Sequence, residues 1–227
     1  MDLQGLAQAF FNVDVMLRTL PMLGQGLVNT FFLATTSIVA GLVVGVTLCI
    51  LRLYGPKAVR WTAVFVIDFF RAIPILVLLV VVYYALPFVG ISLSSFTSAV
   101  LVLSGVLAAF TAEVFRAGIE SLPKGQFEAA DALGLPFPVA LWRVILPQAV
   151  RVAIPSQTSN SVAIAKDTSL ASVVAMPDLL KQATDAQALT ANPSPLIAAA
   201  IIYFVILWPA VRLVSWLERR AREAHGR

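Results

Sequence analysis

Four long apolar runs, at about residues 26–51, 62–86, 96–115 and 196–217, decide what this 227-residue chain can fold into. A helix needs roughly 20 apolar residues to cross a hydrocarbon core, and each run reaches that length. Backbone groups in lipid must pair within their own segment, so the crossings are helices. Composition agrees. Hydrophobic residues make up 59% of the chain and charged residues 12%, where soluble domains carry about a quarter charged. With a mean hydropathy of +0.90, the chain reads as one all-α integral membrane domain. The net charge of +4 is no nucleic-acid signature, because the basic residues flank the runs and crowd the C-terminus. Cys49 is the only cysteine, which excludes an intrachain disulfide and a cysteine zinc site. His225, the only histidine, lies in the charged tail, and no metal site is expected. The start Met1-Asp2-Leu3-Gln4 has no basic n-region, so no cleaved signal peptide is expected.

Charge orients the runs. Arg52, Lys57 and Arg60 follow the first without an intervening acid, whereas residues 87–95 after the second are uncharged. Arg116, Lys124, Arg143 and Arg151 follow the third, and Arg219, Arg220, Arg222 and Arg227 follow the last. Basic loops stay cytoplasmic, which puts the N-terminus outside and the C-terminus inside. The third and last runs would then both end inside, so the chain must return outward between them. The candidate is 152–176, too polar for a hydropathy scan because of Gln157, Asn160, Lys166 and Asp167. Such residues are tolerated where they face other helices or a water-filled cavity. The expectation is five transmembrane helices, N-out and C-in. A short interfacial helix is expected within 1–25, and a cytoplasmic tail over 218–227.

Between the third and fourth spans lies a cytoplasmic segment, 116–151, punctuated by Gly125, Gly134, Pro136, Pro138 and Pro147. Gly134 suits the left-handed position that ends a helix over 126–133. Pro138 suits the first turn of a second short helix, expected to finish before Pro147. Two short helices about a glycine turn make a rigid knob. The pattern leaves two readings: a surface shown to a partner, or a re-entrant loop without one.

Within that knob Glu128-Ala129-Ala130 is followed by Gly134, then Val144, then Leu146-Pro147. This spacing resembles the EAA motif of permease subunits in binding-protein-dependent ABC importers, with Val144 standing where the motif has isoleucine. Arg71-Ala72-Ile73-Pro74, Glu113-Val114-Phe115-Arg116-Ala117-Gly118-Ile119, Pro123-Lys124-Gly125-Gln126 and Lys166-Asp167-Thr168-Ser169-Leu170 are similar to the polar amino-acid branch. The resemblance covers the chain from about residue 26 to the last span. It implies a type I importer (MetI-like) permease fold over 26–217 in the bacterial inner membrane. It implies a second permease subunit, two ABC ATPase subunits, an extracytoplasmic substrate-binding protein and an amino-acid substrate as partners. It assigns ATPase coupling to Glu128, Ala129, Ala130, Gly134, Leu146 and Pro147. ATP and Mg would belong to the ATPase, since the chain has no G-x-x-x-x-G-K-[ST] loop and no catalytic residue of its own is expected.

The embedded polar residues divide into two sets. Asp68 and Arg71, three apart on one helical face, are expected to form a structural ion pair beside a kink at Pro74. Glu113, Asn160, Lys166, Asp167, Thr168 and Ser169 are candidates for the substrate path. Acids corresponding to Glu113 and Asp167 would suit an α-ammonium, although Glu113 could equally pair with Arg116. Two other classes remain. An ion-driven carrier or channel could use the polar fourth span without an ATPase. A Ser-Lys intramembrane hydrolase could be drawn from Ser159 and Lys166, two turns apart, with no oxyanion motif in support.

Overall fold

The computed structural model describes residues 9–225, with side chains through 221. Every regular element among them is helical. In chain order they are α1 (Val13–Tyr54), α2 (Lys57–Ala72), α3 (Ile75–Val80), α4 (Ser95–Glu120), α5 (Lys124–Ala132), α6 (Phe137–Ala140), α7 (Leu146–Asp167), α8 (Leu179–Thr190) and α9 (Ser194–His225). Single π turns at Val81–Ala85 and Leu141–Ile145 extend α3 and join α6 to α7. Short 3-10 turns at Leu86–Val89 and Thr168–Val174 follow α3 and α7. Residues 1–8 and 226–227, at the two ends of the expected terminal segments, lie outside the described residues.

Four helical stretches among the described residues are long and apolar enough to cross a membrane: Val13–Tyr54, Ser95–Glu120, Phe137–Val174 and Ser194–Ala221. A fifth crossing is reached when Lys57–Ala72 and Ile75–Val89 count as one broken span, bent by 104°. The second apolar run is therefore not a single helix over 62–86. It breaks at Ile73-Pro74, where proline bars the preceding residue from helix and starts the next one.

The terminal spans are longer than hydropathy suggested. Residues 9–10 are helical and border residues outside those described, and from 13 to 25 the stretch expected as interfacial is the beginning of α1. Asn12 caps it, with Oδ1 accepting from Val15 N at 3.2 Å, and Asn12 N itself donates to Ser194 Oγ at 3.0 Å. Pro21 lies inside the helix without ending it. At 42 residues α1 runs about 63 Å, twice a core of about 30 Å. The last helix likewise runs on through most of the expected tail.

The second short helix does not finish before Pro147 either. α6 passes through the Leu141–Ile145 π turn directly into α7, and Leu146 N donates to Leu141 O. Pro147 has no N–H to place in the ladder, and the widened turn sits just ahead of it. The hidden fourth span is thus the continuation of the knob, reaching Asp167 as α-helix and Val174 as 3-10 turns.

By its contacts the chain divides into two compact units. The first comprises 1–39, 73–104 and 162–210. Its core packs Leu23 of α1 with Leu179 and Ala183 of α8 and Ala198 and Ala199 of α9. The second comprises 40–72, 105–161 and 211–227. Its core packs Cys49, Ile67, Phe115 and Ile119 with Leu141, Ile145, Leu146 and Ala149. In the second unit Gly41 and Gly45, one turn apart, bring α1 against α4. A Cβ on Gly45 would lie 2.4 Å from Thr111 Cβ and 2.6 Å from Ala108 O. Packing of this closeness drives helix association where lipid is as apolar as the side chains.

Candidate functional site

The knob is built as its glycines and prolines require. Pro123 stands ahead of α5 in extended geometry, and Leu133 closes it. Gly134 takes φ +64°. Gly134 N donates to Asp131 O at 2.9 Å and Leu135 N to Ala130 O at 3.1 Å. These two bonds make a Schellman end, which serves carbonyls that the helix leaves open. Pro136 then starts α6, and the Phe137 ring meets Tyr54 with centroids 4.7 Å apart.

The motif residues do not share one surface. Glu128, Ala129, Gly134 and Pro147 are exposed, whereas Ala130 and Leu146 are buried. Leu146 belongs to the core of the second unit. Leu133, which sequence reasoning passed over, stands 77% exposed at the tip. Gln126 and Gln148 were also passed over as a pair. Gln148 Nε2 donates to Gln126 Oε1 at 3.0 Å and to Val144 O at 2.9 Å, bracing α5 against the base of α7. Gln126 sits in a motif segment quoted from the sequence and Gln148 directly follows Leu146-Pro147, but nothing in the spacing paired them. Beneath α5 is a cavity of about 140 Å³, lined by Tyr54, Phe127, Ala130, Asp131, Phe137 and Ile145 among others.

Glu113 is the centre of an ion cluster in the second unit. It pairs with Arg52 of α1, with Arg116 one turn on at 2.8 Å, and with Arg71 of α2 at 3.4 Å. Arg116 also reaches Glu120 at 2.5 Å. The expected pair between Asp68 and Arg71 is absent: Asp68 is exposed and forms none of the ion pairs among the described residues. Spacing of three on one helix brings two side chains near each other, but the half-buried Glu113, 17% exposed, offers a less hydrated partner. Cysteine, histidine and carboxylate groups form no metal-ligand cluster among the described residues.

The other path candidates lie along α7 and its 3-10 extension. Asn160 is half-buried and falls in the second unit; Lys166, Asp167, Thr168 and Ser169 fall in the first. Lys166 is exposed and Asp167 half-buried. The hydroxyls of Thr168 and Ser169 donate to Ala165 O and Lys166 O, both at 2.8 Å. Those two hydroxyls thus donate to their own backbone, as small polar residues in membrane helices often do, and keep their acceptor lone pairs. Gln157, buried in α7 of the second unit, has neither its oxygen nor its nitrogen partnered.

Comparison with known proteins places this architecture. The family model for the binding-protein-dependent transport system inner membrane component matches residues 37–223. The probable amino-acid ABC transporter permease protein YckA of Bacillus subtilis (strain 168) is 35% identical over 173 residues, 76% of each chain. The probable glutamine ABC transporter permease protein GlnM of the same organism is 31% identical over 215 residues, 94% of this chain and 100% of that protein. Among solved structures, an amino acid ABC transporter with histidines is 32% identical and covers 90% of this chain and 96% of that one, with a TM-score of 0.82. The MetNI methionine ABC transporter shares the fold, with a TM-score of 0.73 at 19% identity, covering 88% of this chain and 96% of that one.

Proposed function

The chain belongs to the family of binding-protein-dependent transport system inner membrane components, and from that premise we propose that it is the permease subunit of an ATP-driven importer of polar amino acids. It is a multi-pass protein of the bacterial inner membrane. Its relatives are named as permeases for glutamine, arginine, cystine and glutamate or aspartate. That range supports the substrate class and leaves the individual amino acid open. The carrier, channel and hydrolase readings have no counterpart in this family. ATP and Mg are held by a separate ABC ATPase, and an extracytoplasmic binding protein delivers substrate. A second permease copy or paralogue completes the path.

The observation that carries the coupling role is the knob. Its tip presents Glu128, Ala129 and Leu133 around a glycine turn, on a base braced by Gln126 and Gln148. A protruding, self-braced helix end passes force without folding back, which is what coupling to a separate motor asks of it. Ala130 and Leu146 act from beneath, anchoring the knob in the core of the second unit. Along α7, Asp167 and Asn160 remain the substrate-path candidates. Glu113 serves the fold, since its charge is already matched by three arginines.

Gly134→Val tests the reading. Its φ of +64° is hostile to a β-branched residue, while nothing lies within 4 Å of an added Cβ. The change therefore strains the turn without a clash. With the permease affinity-tagged and co-expressed with its ATPase, Gly134→Val should release the ATPase and abolish uptake, while Gly125→Ala keeps both. Normal ATPase retention and uptake in Gly134→Val would count against the docking role.

A further inference from the structure

α2 begins and ends at one level. Arg52, just ahead of its first residue Lys57, and Arg71, in its last turn, both pair with the carboxylate of Glu113. Counted from its outer end at Ser95, α4 reaches Glu113 after 18 residues (113 − 95 = 18). That is about 27 Å of helix, close to the inner rim of a core of about 30 Å. A helix climbing beside α1 would carry Arg71 about 21 Å above Lys57, away from the level of Arg52. The 16 residues of α2 therefore run along the inner rim. The 104° bend at Ile73-Pro74 then turns the chain from the rim into its crossing.

At helical spacing the side chains of α2 sort into three stripes. Ala63 and Ile67 are buried, and Phe70 packs against the core of the second unit. On the opposite side, four residues apart, stand Trp61, Phe65 and Phe69, the first two 72% and 70% exposed. Between these two stripes lie Lys57, Arg60 and Arg71, with Asp68 as the only acid of the helix. An exposed aromatic stripe of this extent marks a membrane or protein contact. Charge decides between the two. Arg71 is matched by Glu113, but Lys57 and Arg60 form no ion pair among the described residues. Arg60 only reaches back to Leu53 O at 3.4 Å, and Asp68 stands two turns further on. Lys57 and Arg60, three apart, are neighbours on the helix surface. Free cations beside exposed aromatics, on a helix lying along the rim, complement an anionic membrane surface. The basic connection that holds them belongs on the cytoplasmic side.

We infer that α2 is an interfacial helix seated on anionic phospholipid of the cytoplasmic leaflet. Lys57 and Arg60 hold a headgroup phosphate, and Trp61, Phe65 and Phe69 sink into the boundary between headgroups and acyl chains. The inference rests on the placement of the chain in the inner membrane, not on its cargo.

The test uses the full complex in phosphatidylcholine liposomes doped with phosphatidylglycerol that carries a photoreactive headgroup. Crosslinks should map to the first turns of α2. Lys57→Gln and Arg60→Gln should each lower their yield by about five-fold. Both side chains are exposed, so neither change threatens the fold. Unchanged yields, or equal yields from photoreactive phosphatidylcholine, overturn the inference. A spin label at Phe65→Cys reads the aromatic stripe separately. It should meet oxygen dissolved in the bilayer and be shielded from a water-soluble nickel chelate. A label reached by the chelate would place the stripe in water, and one reached by neither would place it against a protein partner. Either outcome overturns the inference. Uptake measured in parallel tests the proposed function on its own, so the two can fail independently.

Discussion

Glu113 shows how one side chain can look like a ligand and serve the fold. An acid at membrane depth is costly enough to suggest function. Here Arg52, Arg71 and Arg116 converge on it from α1, α2 and α4. Glu113→Gln should therefore cost stability, leaving three cations close together with one acid fewer. We expect about 2 kcal/mol, below the 3–5 kcal/mol of a fully buried pair because the cluster is partly wet. Unfolding of the purified protein measures it. Asp167→Asn should do the reverse, sparing stability and reducing substrate-stimulated ATP hydrolysis by the complex. If Glu113→Gln melts normally but loses that stimulation, the cluster reading is wrong and Glu113 belongs to the path. The i,i+3 relation made Asp68 and Arg71 look like a pair. The actual partner of Arg71 lies 42 residues away in the chain (113 − 71 = 42), a contact that spacing along one helix does not encode.

At the scale of elements the prolines are instructive. Pro74 breaks a span, whereas Pro21, Pro155 and Pro209 lie inside continuous helices and Pro147 follows a π turn that keeps its helix going. Each removes one N–H. Whether the helix then breaks, bends or widens depends on what else serves the freed carbonyl, which is a tertiary matter. That is why the residue was legible in the sequence and its outcome was not. The stretch that contains α7 is the least apolar of the four long ones yet still apolar enough to cross, so it is not too polar for hydropathy, contrary to expectation, although the alternation of loop charge is what placed it. The motif likewise named Ala130 and Leu146 without saying that they point inward. The Gly41-x-x-x-Gly45 spacing was visible too, but the α4 surface that it fits was not. Gly45→Ala should destabilise by about 1–3 kcal/mol, since backbone at Ala108 must shift. Gly24→Ala, in the same helix with nothing within 4 Å, should be neutral or stabilise by up to about 1 kcal/mol. Paired melts of the two variants decide it, and equal effects would mean that the close approach carries no energy.

For the whole molecule, the number of crossings rests on one joint. Counted as a broken span, the α2–α3 pair gives five crossings and ends on opposite sides; counted as re-entrant, it gives four and ends on the same side. The charge alternation supports five. A cysteine at exposed Phe11 should therefore react with an impermeant maleimide from outside intact cells, and one at exposed Leu133 only after the membrane is opened. Labelling of both from the same side would reduce the count to four and move the knob away from the cytoplasm.

Cys49, the single thiol, is packed at 1% exposure against Ile67 and Ala149 in the second unit. A side chain so enclosed is screened from bulky reagents while the fold holds, so the native sequence already serves as its own silent background. Spin labels, fluorophores or crosslinkers can be placed one at a time without first engineering a cysteine out. Reaction at Cys49 itself would then report opening of that core, making this residue an internal gauge of the molecule's integrity during every such measurement.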